Sequence, residues 1–138
     1  MILLDTSGLL AALDSAQRRH KEAAVSLLGA KPPLLLSPFV LAELDYLLAR
    51  RVGDTARMSL LAEVGRGAYQ LQPVTAQDVE RAHAIIERHA DLNISLADAS
   101  IVVLAAAHKT RDVLTLDERH YRVLTVDGEP LRLLPSDG

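Results

Sequence analysis

Short runs of consecutive apolar residues alternate along this chain with longer stretches in which apolar positions recur every three or four residues. The first run, residues 1–4 (MILL), ends at Asp5 and is followed by Thr6, Ser7 and Gly8. An unbroken apolar run bounded by a turn signal is the pattern of a strand buried on both faces. Leu9, Leu10 and Leu13 then fall at helical spacing, which predicts a short helix over 9–13. A second helix is expected over 16–28, with Ala23, Ala24, Leu27 and Leu28 as its apolar stripe and Gly29 as its stop. Lys31-Pro32-Pro33 breaks the chain before a second short strand at 34–36. Ser37 and Pro38 suit the cap and first turn of a helix that runs to Gly53. Asp54 is expected to cap the next helix, which ends near Gly65. A third strand is expected at 69–71. Residues 75–89 form an amphipathic helix with Val79, Ala82, Ile85 and Ile86 facing inward. Another helix starts at Ser95-Leu96-Ala97-Asp98. Residues 112–116 are a strand that ends in Asp117, and a tail strand at 131–134 closes the sheet edge. Strands alternating with helices in this way predict an α/β fold, a central, mostly parallel sheet with helices on both faces. With no repeat, linker or low-complexity segment, residues 1–138 are expected to form a single domain.

Against this pattern four acids stand out. Asp5 and Asp117 each sit at the carboxyl end of an apparently buried strand, where open α/β sheets bind their ligands. Glu43 lies in an apolar helix between Phe39 and Leu47, although Asp45 in the same helix has much the same surroundings. Asp98 is flanked by Ile94, Ile101 and Val102 at helical spacing. Each has a plainer reading. Asp5 and Asp117 suit helix caps, Asp98 is the last member of a capping box, and Glu43 suits an ion pair with Arg50 or Arg51. Convergence would change the balance. Two unit charges about 4 Å apart repel by about 4 kcal/mol at an effective dielectric near 20, so four gathered carboxylates must protonate or bind cations. Carboxylate oxygens without His or Cys select hard divalent ions, Mg²⁺ or Mn²⁺, and metal-assisted phosphodiester hydrolysis is the chemistry such a centre performs.

Composition narrows the field. The chain has no Cys, which removes disulfides, thiol nucleophiles and thiolate-bound metals. Its five His (20, 83, 89, 108 and 120) show no HExxH-type pairing. Aromatics are 3% of residues with no Trp, which makes a base-stacking platform unsuited as the main binding device. The net charge of −3 comes down to near neutrality once the four acids are set aside. No apolar run approaches the ~18–20 residues of a membrane helix, and no basic leader precedes the first strand, so a soluble cytoplasmic protein is expected.

The stretches MILLDTSGLLA, SPFVLAELDYLL, ISLADASIVVLAA and VLTLDERHY together resemble the PIN-domain ribonucleases, specifically the VapC toxins of type II toxin–antitoxin modules. The resemblance spans Met1 to about Val126. It implies the three-layer PIN-like fold, with Asp5, Glu43, Asp98 and Asp117 as the catalytic, metal-binding acids. Ser7 and Thr115 match the hydroxyl residues that flank the family's site, and Tyr121 stands where relatives often have Phe. The resemblance further implies a Mg²⁺-dependent endoribonuclease (with Mn²⁺ a substitute) acting on structured RNA such as tRNA or rRNA. It implies neutralisation by a cognate VapB-like antitoxin, a homodimer, and a heterotetramer or larger assembly with the antitoxin. Arg18-Arg19 and Arg50-Arg51 are candidates for phosphate contact, against the plainer reading of solvated helix ends. An aspartyl-nucleophile phosphatase would need a second Asp where Ser7 stands, and a receiver domain would need an acidic pair near the first strand. A PIN-like binding module with little turnover remains the alternative from outside the enzymes.

Overall fold

A computed structural model describes residues 1–138. In chain order its first half comprises β1 (Ile2–Leu4), α1 (Thr6–Leu13), α2 (His20–Gly29), β2 (Leu34–Leu36), α3 (Pro38–Arg51), α4 (Asp54–Gly65) and β3 (Gln70–Leu71). Then follow α5 (Ala76–Arg88), a 3₁₀ turn (Ala90–Leu92), α6 (Leu96–His108), β4 (Asp112–Leu114), α7 (Glu118–Tyr121), β5 (Thr125–Val126), β6 (Glu129–Pro130) and β7 (Arg132–Leu134). Five strands make one parallel sheet in the order β3-β2-β1-β4-β7, and β5 and β6 form a separate antiparallel hairpin.

The sheet explains the apolar runs. β1 lies at its centre, Leu4 pairs with Leu36 on one side and Leu114 on the other, and all three β1 residues are buried. Helices flank the sheet: α6 packs on β1 with α3 and α5 beside it, while α2 packs on β4 and on α1. The chain builds outward from β1 to β3, then crosses back to place β4 and β7 on the other side. The strand order therefore reverses between β1 and β4, and the carboxyl ends of those two strands border the crevice where ligands of such sheets bind. No helix is long and apolar enough to cross a membrane.

Several boundaries differ from the periodicity, for local reasons. α1 begins at Thr6, directly after Asp5, so the presumed turn is already helix. α2 begins at His20 instead of residue 16. Asp14 accepts hydrogen bonds from the Ala16 N–H and Gln17 Nε2, an Asx-type turn that competes with helix, and Arg19 adopts a left-handed φ of 59°. Leu28 is 86% exposed and drops out of the expected stripe, as does Val79 of α5. Asp54 lies within α4, whose cap position is Gly53 at φ 136°. Beyond Leu114 the Thr115 N–H still bonds the Leu134 carbonyl, but the Leu116 N–H turns away to Ser7 Oγ at 3.0 Å and the ladder ends. The β5–β6 hairpin was not expected from the sequence, although Asp127-Gly128, both at positive φ, is the signature of a two-residue turn. α7 is held from both sides, by Asp117 capping it and by Arg122 bridging Glu118 to Asp137 in the tail.

Gly8 allows α1 to lie against the end of β4. A Cβ there would sit 2.3 Å from the Leu114 carbonyl oxygen, a backbone atom that cannot swing aside. Gly8→Ala is expected to destabilise by about 1–3 kcal/mol as α1 lifts from the strand. Gly65→Ala, with open space around the added carbon, serves as the control that shifts the denaturation midpoint little.

Candidate active site

The four acids picked out above border one cleft of about 400 Å³ at the carboxyl ends of β1 and β4, together with Thr6, Ser7, Arg51, Asn93, Ser95 and His120. Asp5 follows β1 and is 3% exposed. It occupies the cap position of α1, yet its side chain makes no capping bond. Its Oδ2 accepts hydrogen bonds from Ser7 Oγ at 2.8 Å and Thr115 Oγ1 at 2.7 Å, and its Oδ1 accepts one from the Tyr121 hydroxyl at 3.0 Å. Burial pushes its carboxyl up to about 6, aided by the nearby Asp98 charge and opposed by the hydroxyl donors, with Thr115 foremost. The capping role is thus not what places Asp5 there; its hydroxyl donors hold it facing the cleft.

Asp98 and Asp117 do both things. Asp98 closes a capping box with Ser95 at the start of α6, while its Oδ1 accepts from Tyr121 at 3.2 Å. Asp117 Oδ1 accepts the His120 N–H at 3.1 Å, capping α7. Between them stands His120, whose Nδ1 lies 3.2 Å from Asp98 Oδ2 and 3.1 Å from Asp117 Oδ2. Two carboxylates only accept, so Nδ1 carries a proton when it binds either. The helix N-termini at Thr6 and Leu96 place positive dipole ends beside these acids and offset part of their repulsion. His120 has no second histidine at metal-pairing spacing, and its only signal in the sequence is the i, i+3 spacing from Asp117 just past a buried strand.

Glu43 reaches the cleft from α3 and is exposed. Asp45 does not border it, because it is engaged by Arg57 of α4 in an ion pair. The arginine pairs divide similarly. Arg51 borders the cleft, whereas Arg50 donates to Tyr46 and Arg19 pairs with Glu22. Thr6 Oγ1 is the one buried side-chain polar atom without a hydrogen-bond partner, and Thr6 borders the same cleft.

Oxygens of Asp98 and Asp117 and a ring nitrogen of His120 all lie within 4.8 Å of one another, close enough to hold one metal ion. The donor set has room for a divalent cation, with two carboxylates and, unlike the all-oxygen set expected from the sequence, one ring nitrogen.

Known proteins share the sequence pattern and the fold. The PIN domain family model matches residues 2–124. The chain is 42% identical over 127 residues to Ribonuclease VapC26 of Mycobacterium tuberculosis, covering 92% of this chain and 94% of that protein. It superposes on the crystal structure of Mycobacterium tuberculosis VapC20, a sarcin–ricin loop cleaving toxin, with a TM-score of 0.79 at 26% identity, over 85% of this chain and 90% of that one. FitAcB from Neisseria gonorrhoeae shares the fold at 20% identity, with a TM-score of 0.55 over 87% of this chain and 99% of that one. The family match over residues 2–124 and the likeness to VapC26 along nearly the whole chain show that this chain belongs to the PIN-domain family, among its VapC ribonucleases.

Proposed function

We propose that this protein is an endoribonuclease toxin that cuts structured RNA, tRNA or rRNA, with Mg²⁺ or Mn²⁺ held by Asp5, Asp98, Asp117 and Glu43. The single observation that carries this is the convergence of those four acids on one cleft at the sheet's switch point. Such an ion, when bound, supplies Lewis-acid activation of water and charge stabilisation at the phosphate. The chain's own residues do the rest. Ser7 and Thr115 fix Asp5 Oδ2, so the buried carboxylate keeps one orientation. His120 Nδ1 stands between Asp98 and Asp117 and keeps those two carboxylates facing each other. Arg51, on the rim, suits contact with an RNA phosphate, which adds affinity without sequence preference.

VapC26 is named a ribonuclease and VapC20 a sarcin–ricin loop cleaving toxin, and both names support RNA as the substrate here. Exposed Tyr46 of α3, Met58 of α4 and Val52 between them suit the cover of a VapB-like antitoxin, and a homodimer is proposed by the same kinship. Cleavage of a structured RNA in Mg²⁺ or Mn²⁺ that stops on adding EDTA is the expected result. Cleavage that persists in chelator would overturn the metal mechanism, and no metal-linked stabilisation at millimolar ion would favour a binding module.

The cleft also separates the two acids of α3. Glu43→Gln is expected to lower the cleavage rate about 10–100-fold, the usual loss for a group that orients or supports a metal. Asp45→Asn should leave the rate within about twofold, because it removes only a partly exposed ion pair outside the cleft. Matched initial-rate assays of the two variants check this.

A further inference from the structure

The Tyr121 ring is completely buried in the main core cluster, so its hydroxyl has a fixed position. That hydroxyl lies 3.0 Å from Asp5 Oδ1 and 3.2 Å from Asp98 Oδ1, on two different elements. Both carboxylates border the cleft and Tyr121 does not, so the hydroxyl grips them from behind. A phenol has one proton and the two acids only accept, so the single O–H serves both, and their two oxygens are kept close despite like charge. The other oxygens are held separately, Asp5 Oδ2 by Ser7 and Thr115, and Asp98 Oδ2 by the Ser95 N–H and His120.

We propose that Tyr121 is a positioning residue that sets the spacing of Asp5 and Asp98 before the divalent ion arrives, and so favours a small ion over a larger one. This rests on the metal reading above. Mg²⁺ requires near-ideal octahedral ligation at ~2.0–2.1 Å, whereas Ca²⁺ accepts flexible ligation at ~2.3–2.6 Å. Carboxylates released from the hydroxyl spread apart under their own repulsion, a change that penalises the smaller ion more.

The test is calorimetric titration of the metal-free full chain, wild type and Tyr121→Phe, with Mg²⁺ and separately with Ca²⁺. Tyr121→Phe is expected to weaken Mg²⁺ binding about tenfold and Ca²⁺ binding about twofold or less, narrowing the discrimination between them. Unchanged or tighter Mg²⁺ binding, or equal losses for both ions, would overturn the positioning role. A wild type that binds neither ion would instead overturn the metal reading itself. Should Tyr121→Phe fail to fold, the double variant Tyr46→Phe/Tyr69→Phe leaves Tyr121 as the sole tyrosine. Mg²⁺ is then expected to shift its near-ultraviolet absorption as the shared hydrogen bond weakens, and no shift would overturn the proposal.

Discussion

Asp5→Asn is expected to lower RNA cleavage by about 10³-fold while raising the melting temperature of the metal-free protein at pH 7 by about 5 °C. The two effects have one source. Asp5 is buried with Asp98 nearby, and its carboxyl is raised from 3.8 to about 6. At pH 7 it is ionised in the folded and the unfolded chain alike, and that gap costs the fold about 3 kcal/mol. Asn keeps the shape without the charge. Part of the gain is returned, because an amide nitrogen must replace one accepting oxygen, and Tyr121 or the Ser7 and Thr115 hydroxyls must turn to accept from it. Calorimetric melting alongside an RNA cleavage assay checks both halves. A drop of several degrees would mean that Asp5 earns its place through the hydrogen bonds it accepts, as a structural residue.

The metal-free protein is further expected to lose Asp5-dependent stability as the pH rises from about 4 to 7. Below the unfolded value of 3.8 the carboxyl is protonated in both states and its burial carries no charge penalty. Between 3.8 and about 6 the folded state retains a proton that the unfolded state has released, so stability falls with rising pH. Above about 6 the full penalty of about 3 kcal/mol is in place. Other carboxylates act in the opposite direction. Asp137, brought down to about 2 by Arg122, and Asp78 and Glu118, lowered by the Thr75 backbone and by Arg122, favour the fold above their unfolded values and lose that effect in acid. The difference between wild type and Asp5→Asn isolates the first group from the second. A divalent ion binds the deprotonated acids, so the rise in melting temperature on adding Mn²⁺ should be clearly larger at pH 7.5 than at pH 5. Equal rises at the two pH values would count against Asp5 as a ligand.

Much of the architecture was legible from local pattern. The runs at 2–4, 34–36 and 112–114 become neighbouring strands because apolar stretches this short bury both faces only inside a layered sheet. Ser37 and Pro38 start α3 where their chemistry indicates, and Thr75 and Ser95 close capping boxes. Errors fell where a side chain competes with the backbone ladder: Asp14 delayed α2, and Ser7 drew Leu116 away from β4. Exposed Leu28 and Val79 show a different limit, since helical spacing marks one face without saying whether another element covers it.

The amino-acid sequence by itself determined the α/β alternation, the family and the identity of the unusual acids, because these depend on contacts within a few residues or on motif order. Only the tertiary structure decided that Asp5 does not cap its helix, that Glu43 and not Asp45 faces the cleft, and that His120 and Tyr121 join the acids. Those outcomes depend on partners up to 116 residues apart, such as Tyr121 and Asp5. Which carboxylate meets which hydroxyl is settled by how β1, β4, α6 and α7 pack, and packing at that range has no periodicity for a sequence to display.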